Sequence, residues 1–330
     1  MNKQTFKGPV FVFGMPRSGT KLLRDLLNKN KKIFIPLAES HFIPYFVNKY
    51  GLDFDLSTDK NQRKIDKEFH NTSFYFFLVY WKRKLEKEDF SIPEGITCWA
   101  DLFEFWLRKA SGCWGKKDVV FGDKTPGYIN HMSLIKRVFP QSRFIHIIRD
   151  PRDYALSFRK SWGKNIFRAV ERWRDTLERF EKDAQSMDRN DISVLYYEDL
   201  LDRPWVELKR LCGFLEVQYH PGMLRLDRPS EFLGDAKNQT EIVTDNKAKY
   251  LKELKPAQVQ RIEEIVYPMA EKHSYPMHSA KQFVPLRRHE KAVYQIYDQG
   301  AILRHNIKRF GLFKGLYLSY IHHKKSSWQN

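Results

Sequence analysis

Seven residues near the start of the chain, Gly14-Met15-Pro16-Arg17-Ser18-Gly19-Thr20, have the types and spacing that hold a phosphate. A glycine-rich turn entering a helix presents backbone N–H groups and the positive helix end to an anion. The loop of nucleotide triphosphatases reads G-x-x-x-x-G-K-[ST]. Gly14 and Gly19 stand at the right separation, but Thr20 occupies the lysine position and Lys21 comes one residue later. The cation lies inside the loop instead, at Arg17, and no hydroxyl sits where magnesium is usually held. Such a loop can bind phosphate but is a poor magnesium-triphosphate site. A second anchor is Arg149-Asp150-Pro151-Arg152 with Ser157 eight positions after Arg149. An arginine and a hydroxyl there can grip another phosphate through charge-assisted hydrogen bonds, or form a salt-bridged helix start. Tyr197, in Tyr197-Glu198-Asp199-Leu200, is either a ring for stacking on a base or a core residue.

The flanking residues say what positions these groups. Residues 9–13 (PVFVF) are a buried-strand run, and 21–30 (KLLRDLLNKN) a helix with four leucines on one face. Strand, glycine loop and helix open a parallel α/β unit. Further strands are expected at 33–36, 119–121, 143–148 (RFIHII) and 192–197 (ISVLYY). Arg149 leaves the carboxyl end of the strongest of them, where such sheets place ligands. Proline at 151 suits the first turn of the following helix. Residues 168–187 carry Val170, Trp173, Leu177, Phe180 and Ala184 at spacings of three and four, an amphipathic helix. Residues 43–118 read as a helical, aromatic insertion without a strand, and 227–250 as a polar loop. From Pro285 on, basic residues (Arg287, Arg288, Lys291, Arg304, Lys308, Arg309, Lys314, Lys324, Lys325) interleave with aromatics and leucines, which predicts a basic helical extension.

Composition limits the function classes. Of 330 residues, 42% are hydrophobic and 15% aromatic, too many rings for a disordered chain. The net charge of +18 points to an anionic partner: nucleotide, nucleic acid, anionic polymer or anionic lipid. Cys98, Cys113 and Cys212 are too few and scattered for a disulfide framework or zinc site, and fit a reducing compartment. Met1 to Gly8 is polar and leads straight into a strand, unlike a signal peptide. The longest apolar run, Phe74 to Trp81 (FYFFLVYW), is far below the roughly 20 residues of a membrane helix. A cytoplasmic protein that can touch a membrane without spanning it is expected.

PRSGTKLL (16–23), HIIRDPRDYALSF (146–158) and VLYYEDLL (194–201), in that order, resemble the sulfotransferase superfamily over roughly residues 8–275. The resemblance is greater to its bacterial, tyrosylprotein and glycan enzymes than to its cytosolic small-molecule ones. It implies transfer of a sulfuryl group from 3′-phosphoadenosine-5′-phosphosulfate (PAPS), without a metal, to an acceptor hydroxyl. By that resemblance Arg17, Ser18, Gly19 and Thr20, with Lys21 beside them, hold the 5′-phosphosulfate. Arg149 and Ser157 hold the 3′-phosphate, and Tyr197 lies by the adenine. Arg17 and Lys124, in Gly122-Asp123-Lys124-Thr125-Pro126, are the cations for the leaving oxygen. Glu39 in LAESHF is the expected base, its pKa raised by partial burial, with His41 as the rival. The family's basic, glycine-rich segment nearer the C-terminus is not recognisable; 234–250 sits about where it belongs.

The fold implied is α/β: a P-loop-like, mainly parallel sheet of four or five strands flanked by helices, within residues 1–284. The insertion 43–118 would build the acceptor cleft and lid, and 285–330 the basic extension. The charge suits a glycan or glycolipid acceptor, and the extension can lie on an anionic membrane. Protein-tyrosine and small-molecule acceptors are the alternatives. A P-loop kinase using ATP and a non-enzymatic RNA-binding module are the rival readings. The first needs the missing lysine; the second has no RNA-binding fingerprint here, so no specific nucleic acid is expected.

Overall fold

A computed structural model of the chain describes residues 5–82, 90–313 and 315–316. Five strands, β1 (Val10–Gly14), β2 (Ile33–Phe34), β3 (Val120–Lys124), β4 (Arg143–Ile148) and β5 (Ile192–Tyr196), form one sheet in the order β2-β3-β1-β4-β5. Every pairing is parallel. The helices in chain order are α1 (Thr20–Leu27), α2 (Phe42–Tyr50), α3 (Asp59–Phe69), α4 (Ser73–Lys82), α5 (Trp99–Ser111) and α6 (Met132–Val138). They are followed by α7 (Pro151–Trp162), α8 (Ile166–Ala184), α9 (Tyr197–Asp202), α10 (Pro204–Phe214), α11 (Tyr250–Glu253), α12 (Pro256–Lys272) and α13 (Arg288–Phe310). The α/β class, the parallel sheet and its helical flanks are as the sequence leads one to expect.

The chain divides into two compact units, one holding the described parts of Met1–Ile148, Arg179–Glu231 and Asn238–Val243, the other those of Arg149–Glu178, Phe232–Lys237 and Thr244–Asn330. The first unit contains the whole sheet. Its inner strands β1, β3 and β4 are buried on both faces, so successive side chains feed two different cores. Val10 and Val12 of β1 join the leucines of α1 and the apolar residues of α9 and α10. Phe11 and Phe13 join the aromatic core built with α2 to α6. Because β1 is the middle strand and the chain adds neighbours first on one side and then on the other, its carboxyl end is a topological switch point. The Gly14–Thr20 loop leaves from there.

The structure corrects one strand end and refines the reading of the insertion and the extension. β3 does not stop at Phe121 but runs through Gly122, Asp123 and Lys124, because those three pair with Val10, Phe11 and Val12 of β1. Lys124 thus ends a buried strand, with 1% of its surface exposed, and is not a surface lysine. In the aromatic run of α4, Phe74 and Leu78 are core, whereas Phe76, Phe77 and Val79 are exposed. The side chains of Tyr80 and Trp81 lie outside the described residues. So do Lys314, Lys324 and Lys325 of the basic extension, whose described part is mainly α13.

The second unit is organised around a buried ion pair. Asp150 caps α7 by accepting from the Arg152 N–H at 2.8 Å, with Pro151 in the first turn. Arg152 donates to Asp150 at 2.6 Å and to Glu263 of α12 at 2.7 Å, and all three are buried. The other Glu263 oxygen accepts backbone N–H groups of His278, Ser279 and Ala280. α13 is tied to the start of α8 through Asp298, which accepts from Arg168 and from the Asn165 N–H.

Candidate active site

The anion loop is held in a conformation that its sequence alone permits. Gly19 caps α1 at φ +95°, and a Cβ there would stand 2.5 Å from the Tyr197 ring. Gly14 is as constrained: a Cβ would meet the Ile147 carbonyl oxygen at 2.3 Å. Arg17 adopts φ +76°, a left-handed conformation rarely taken by a side-chain-bearing residue and often found at functional loops. The loop closes through the Ser18 N–H donating to the Met15 carbonyl at 3.1 Å. Ser18 is 1% exposed, and its Oγ has no hydrogen-bond partner among the described residues. A buried hydroxyl with no protein partner just before a helix N-terminus has the chemistry to donate to an anion.

Two cations of this segment face a carboxylate that sequence reasoning missed. Arg17 Nη1 lies 2.7 Å and Lys21 Nζ 3.9 Å from Glu231 Oε2. Nothing in the polar stretch around residue 231 marks it in the sequence. Tyr197 is the first residue of α9 and is buried with its ring behind Gly19, backing the loop.

The candidate acid–base residues converge. Lys124 Nζ lies 2.5 Å from Glu39 Oε1, and His41 Nε2 lies 3.3 Å from Glu39 Oε2. Burial pushes the Glu39 carboxyl up, but the attraction of Lys124 and the bond to His41 outweigh it and hold the group well below the usual carboxylate range. The expected rise is therefore reversed: burial alone would produce it, but a buried ammonium ion is in contact. Lys124 itself is pushed down from its ordinary value, first by burial, then by repulsion from Arg24 and Lys21 that partly offsets Glu39. That repulsion puts α1, Lys124 and Glu39 in one electrostatic neighbourhood. Arg24 also donates to the Leu37 carbonyl at 2.9 Å, tying α1 to the LAESHF segment.

A buried polar network fixes this pair from behind. The Ser40 N–H donates to Thr125 Oγ1 at 2.9 Å, Ser40 Oγ to Asp123 Oδ1 at 3.0 Å, and Thr125 Oγ1 to Asp123 Oδ1 at 2.6 Å. The Tyr128 hydroxyl is 2.5 Å from Ser40 Oγ and accepts the Ile43 N–H. Asp123 precedes Lys124 and Ser40 follows Glu39, so the network couples the end of β3 to the loop before α2, the two segments that carry the ion pair. Burial pushes the Asp123 carboxyl up to about 6, against the bonds from Thr125 and Ser40. The residue types lay in plain view in LAESHF and GDKTP; only their pairing across 85 residues was hidden.

Arg149 and Ser157 belong to the second unit. Arg149, directly after β4 in the chain, is buried, donates from Nη2 to the Asn246 carbonyl at 2.9 Å, and accepts the Trp173 indole N–H at its own carbonyl. Ser157 is half-buried on α7. Part of the segment whose motif is unrecognisable packs on α7: Asp153 accepts the Tyr250 N–H at 3.0 Å, and Lys160 donates to Asp235 at 2.9 Å. Among the described residues no group of three or more His, Cys, Asp or Glu side chains is set to hold a metal ion.

A profile of the sulfotransferase family matches residues 9–221, a span that takes in the anion loop, Glu39, Lys124, Arg149, Ser157 and Tyr197. The chain belongs to the sulfotransferase family. Among its sulfotransferase relatives is the omega-hydroxy-beta-dihydromenaquinone-9 sulfotransferase of Mycobacterium bovis, 24% identical over 256 residues, 63% of this chain and 62% of that one. Protein-tyrosine sulfotransferase A of Caenorhabditis elegans is 21% identical over 224 residues, 65% of this chain and 51% of the relative. An uncharacterized Aquifex aeolicus protein is 24% identical over 66% of this chain, which spans only 26% of that protein's length. The sulfotransferase fold is shared with the sulfotransferase domain of the Synechococcus PCC 7002 olefin synthase. That domain superposes with a TM-score of 0.50 at 19% identity, over 84% of this chain and 98% of the domain.

Proposed function

We propose that this chain transfers a sulfuryl group from PAPS to a hydroxyl of a carbohydrate or glycolipid. The observation that carries the reading is the Glu39–Lys124 contact, a buried ammonium ion and a carboxylate 2.5 Å apart, in a family whose chemistry needs one of each. The loop residues fit the phosphosulfate end of PAPS: Arg17 and Lys21 supply charge, and the buried Ser18 hydroxyl has a donor to spare. Arg149 and Ser157 are assigned the 3′-phosphate, and Tyr197 the neighbourhood of the adenine, both on resemblance to the family.

In sulfuryl transfer the bond between sulfur and the bridging oxygen of the nucleotide breaks as the acceptor oxygen bonds to sulfur. Negative charge grows on the bridging oxygen, so cations aimed there stabilise the transition state more than the ground state. Lys124 and Arg17 take that role. The acceptor hydroxyl loses its proton to Glu39. A carboxylate held down by Lys124 is a weak base; drawing Lys124 toward the leaving oxygen relieves that attraction, and burial then raises the carboxyl's affinity for a proton. His41 orients Glu39 through its ring nitrogen. The exposed Phe76, Phe77 and Val79 of α4 suit the lipid portion of a glycolipid, and the net charge of +18 suits an anionic acceptor.

The test is incubation with sulfur-labelled PAPS and four acceptor classes: oligosaccharide, glycolipid, tyrosyl peptide and a lipid hydroquinol. Label in the oligosaccharide or glycolipid supports the assignment. Label confined to the peptide or the hydroquinol refutes the acceptor, and no transfer by a protein that binds the nucleotide refutes the reaction.

A further inference from the structure

The family match ends at residue 221, well before α13. This 23-residue helix, about 35 Å long, packs through Tyr294, Asp298 and Ala301, the last two buried. The apolar surface continues round one flank of the helix into solvent: Tyr297 is 49%, Val293 59% and Ile296, furthest from the packed side, 69% exposed. Just beyond the helix Leu312 is 56% and Phe313 86% exposed. A surface helix ordinarily keeps its apolar stripe against the core, so these exposed residues lack an explanation within the described fold. The charges around it are one-sided. Arg288, Arg304, Lys308 and Arg309 stand on the helix with Lys291, which pairs with Glu171, while its two carboxylates are occupied within the unit, Asp298 by Arg168 and Glu290 by Arg261.

We propose that the outward face of α13 docks the protein on an anionic lipid surface, with Val293, Ile296 and Tyr297 entering the headgroup boundary and Arg304 and Lys308 meeting lipid phosphates. Two arguments favour a bilayer over a second copy of the chain. Each copy carries a net charge of +18, so two basic faces repel where an anionic membrane attracts. And a stripe one helix wide is long and thin, matching a helix lying in a membrane interface better than the roughly 800 Å² per partner of a stable dimer. The inference does not depend on the sulfuryl-transfer assignment.

The experiment is co-sedimentation of the full chain with phosphatidylcholine vesicles, with and without phosphatidylserine, at low and high salt. The protein should partition onto the anionic vesicles, less so at high salt. The double substitution Val293→Ser/Ile296→Ser should weaken that partition about tenfold. Arg304→Ala/Lys308→Ala should weaken it without altering the thermal melt. Equal binding by the Val293/Ile296 variant, or failure of the unmodified chain to bind anionic vesicles, overturns the proposal. So does a dimer in sedimentation velocity that the same double substitution dissolves.

Discussion

At the scale of single residues, the site is defined by which charges touch. Glu39 and Lys124 are each other's counter-ion, and each has a distinct task in the proposed transfer. Lys124→Ala should lower kcat by about 10²- to 10³-fold, the usual effect of deleting one fixed transition-state donor. Glu39→Gln should lower it about 10²- to 10⁴-fold, as for loss of a general base, while leaving nucleotide affinity within about twofold. His41→Ala, if the ring only orients Glu39, should cost less than about tenfold. Turnover with an accepted hydroxyl checks all three, and a larger loss for His41→Ala than for Glu39→Gln would reverse the roles. Glu231 faces the loop cations from the other side, 2.7 Å from Arg17. An anion entering the loop must displace or share with it, so Glu231→Gln should tighten binding of 3′,5′-adenosine bisphosphate by about three- to tenfold. Calorimetric titration reads this directly, and unchanged or weaker binding would mean that Glu231 does not compete. Arg17 and Lys21 were identifiable from the loop sequence; Glu231 was not, because a lone carboxylate in a polar stretch carries no periodic or spacing signal.

At the scale of elements, positions depend on buried polar connections more than on surface ones. The Asp123 network joins the end of β3 to the start of α2 and has a pH signature. Its folded-state carboxyl titrates near 6, above the ordinary aspartate value of 3.8. A raised acid favours the folded state while protonated, so its stabilising contribution is full below about 4 and is lost as pH rises through 6. Asp123→Asn keeps an acceptor for Ser40 and Thr125 but cannot ionise. The stability of the unsubstituted protein relative to that variant should therefore rise on going from pH 7 to pH 4, by up to about 3 kcal/mol. Glu39 runs oppositely: its lowered carboxyl stabilises in full above the ordinary glutamate value of 4.5 and progressively less as pH falls below it. Urea unfolding across that range compares the two proteins, and a constant difference would contradict the network. In the second unit, Arg152→Ala leaves Glu263 and Asp150 buried without their cation and should cost about 3–5 kcal/mol, read as a lower urea midpoint. A loss under about 1 kcal/mol would show the pair to be dispensable. The strands and most helices were legible because β1 and β4 are continuous apolar runs and α8 keeps its period. The end of β3 was not, because Gly-Asp-Lys reads as a turn and only pairing with β1 makes it strand.

At the scale of the whole molecule, fold and family could be read from three short motifs in order, since each follows or overlaps the end of a strand, β1, β4 and β5, that the chain must present in sequence. The acceptor could not, because its cleft is assigned to an insertion whose rings are mostly core and whose specificity leaves no motif. A net charge of +18 should also make every anionic ligand's association fall with added salt, less steeply for a buried contact than for a surface one. The central claim, that the chain uses an adenosine 3′-phosphate 5′-phosphosulfate, is tested most directly by calorimetry without magnesium. 3′,5′-Adenosine bisphosphate is compared with ADP and ATP, on the unsubstituted chain and on Arg149→Ala. The account predicts binding of the bisphosphate in preference to the other two, weakened at least about tenfold by Arg149→Ala. Preference for ATP, appearing only when magnesium is added, would contradict it.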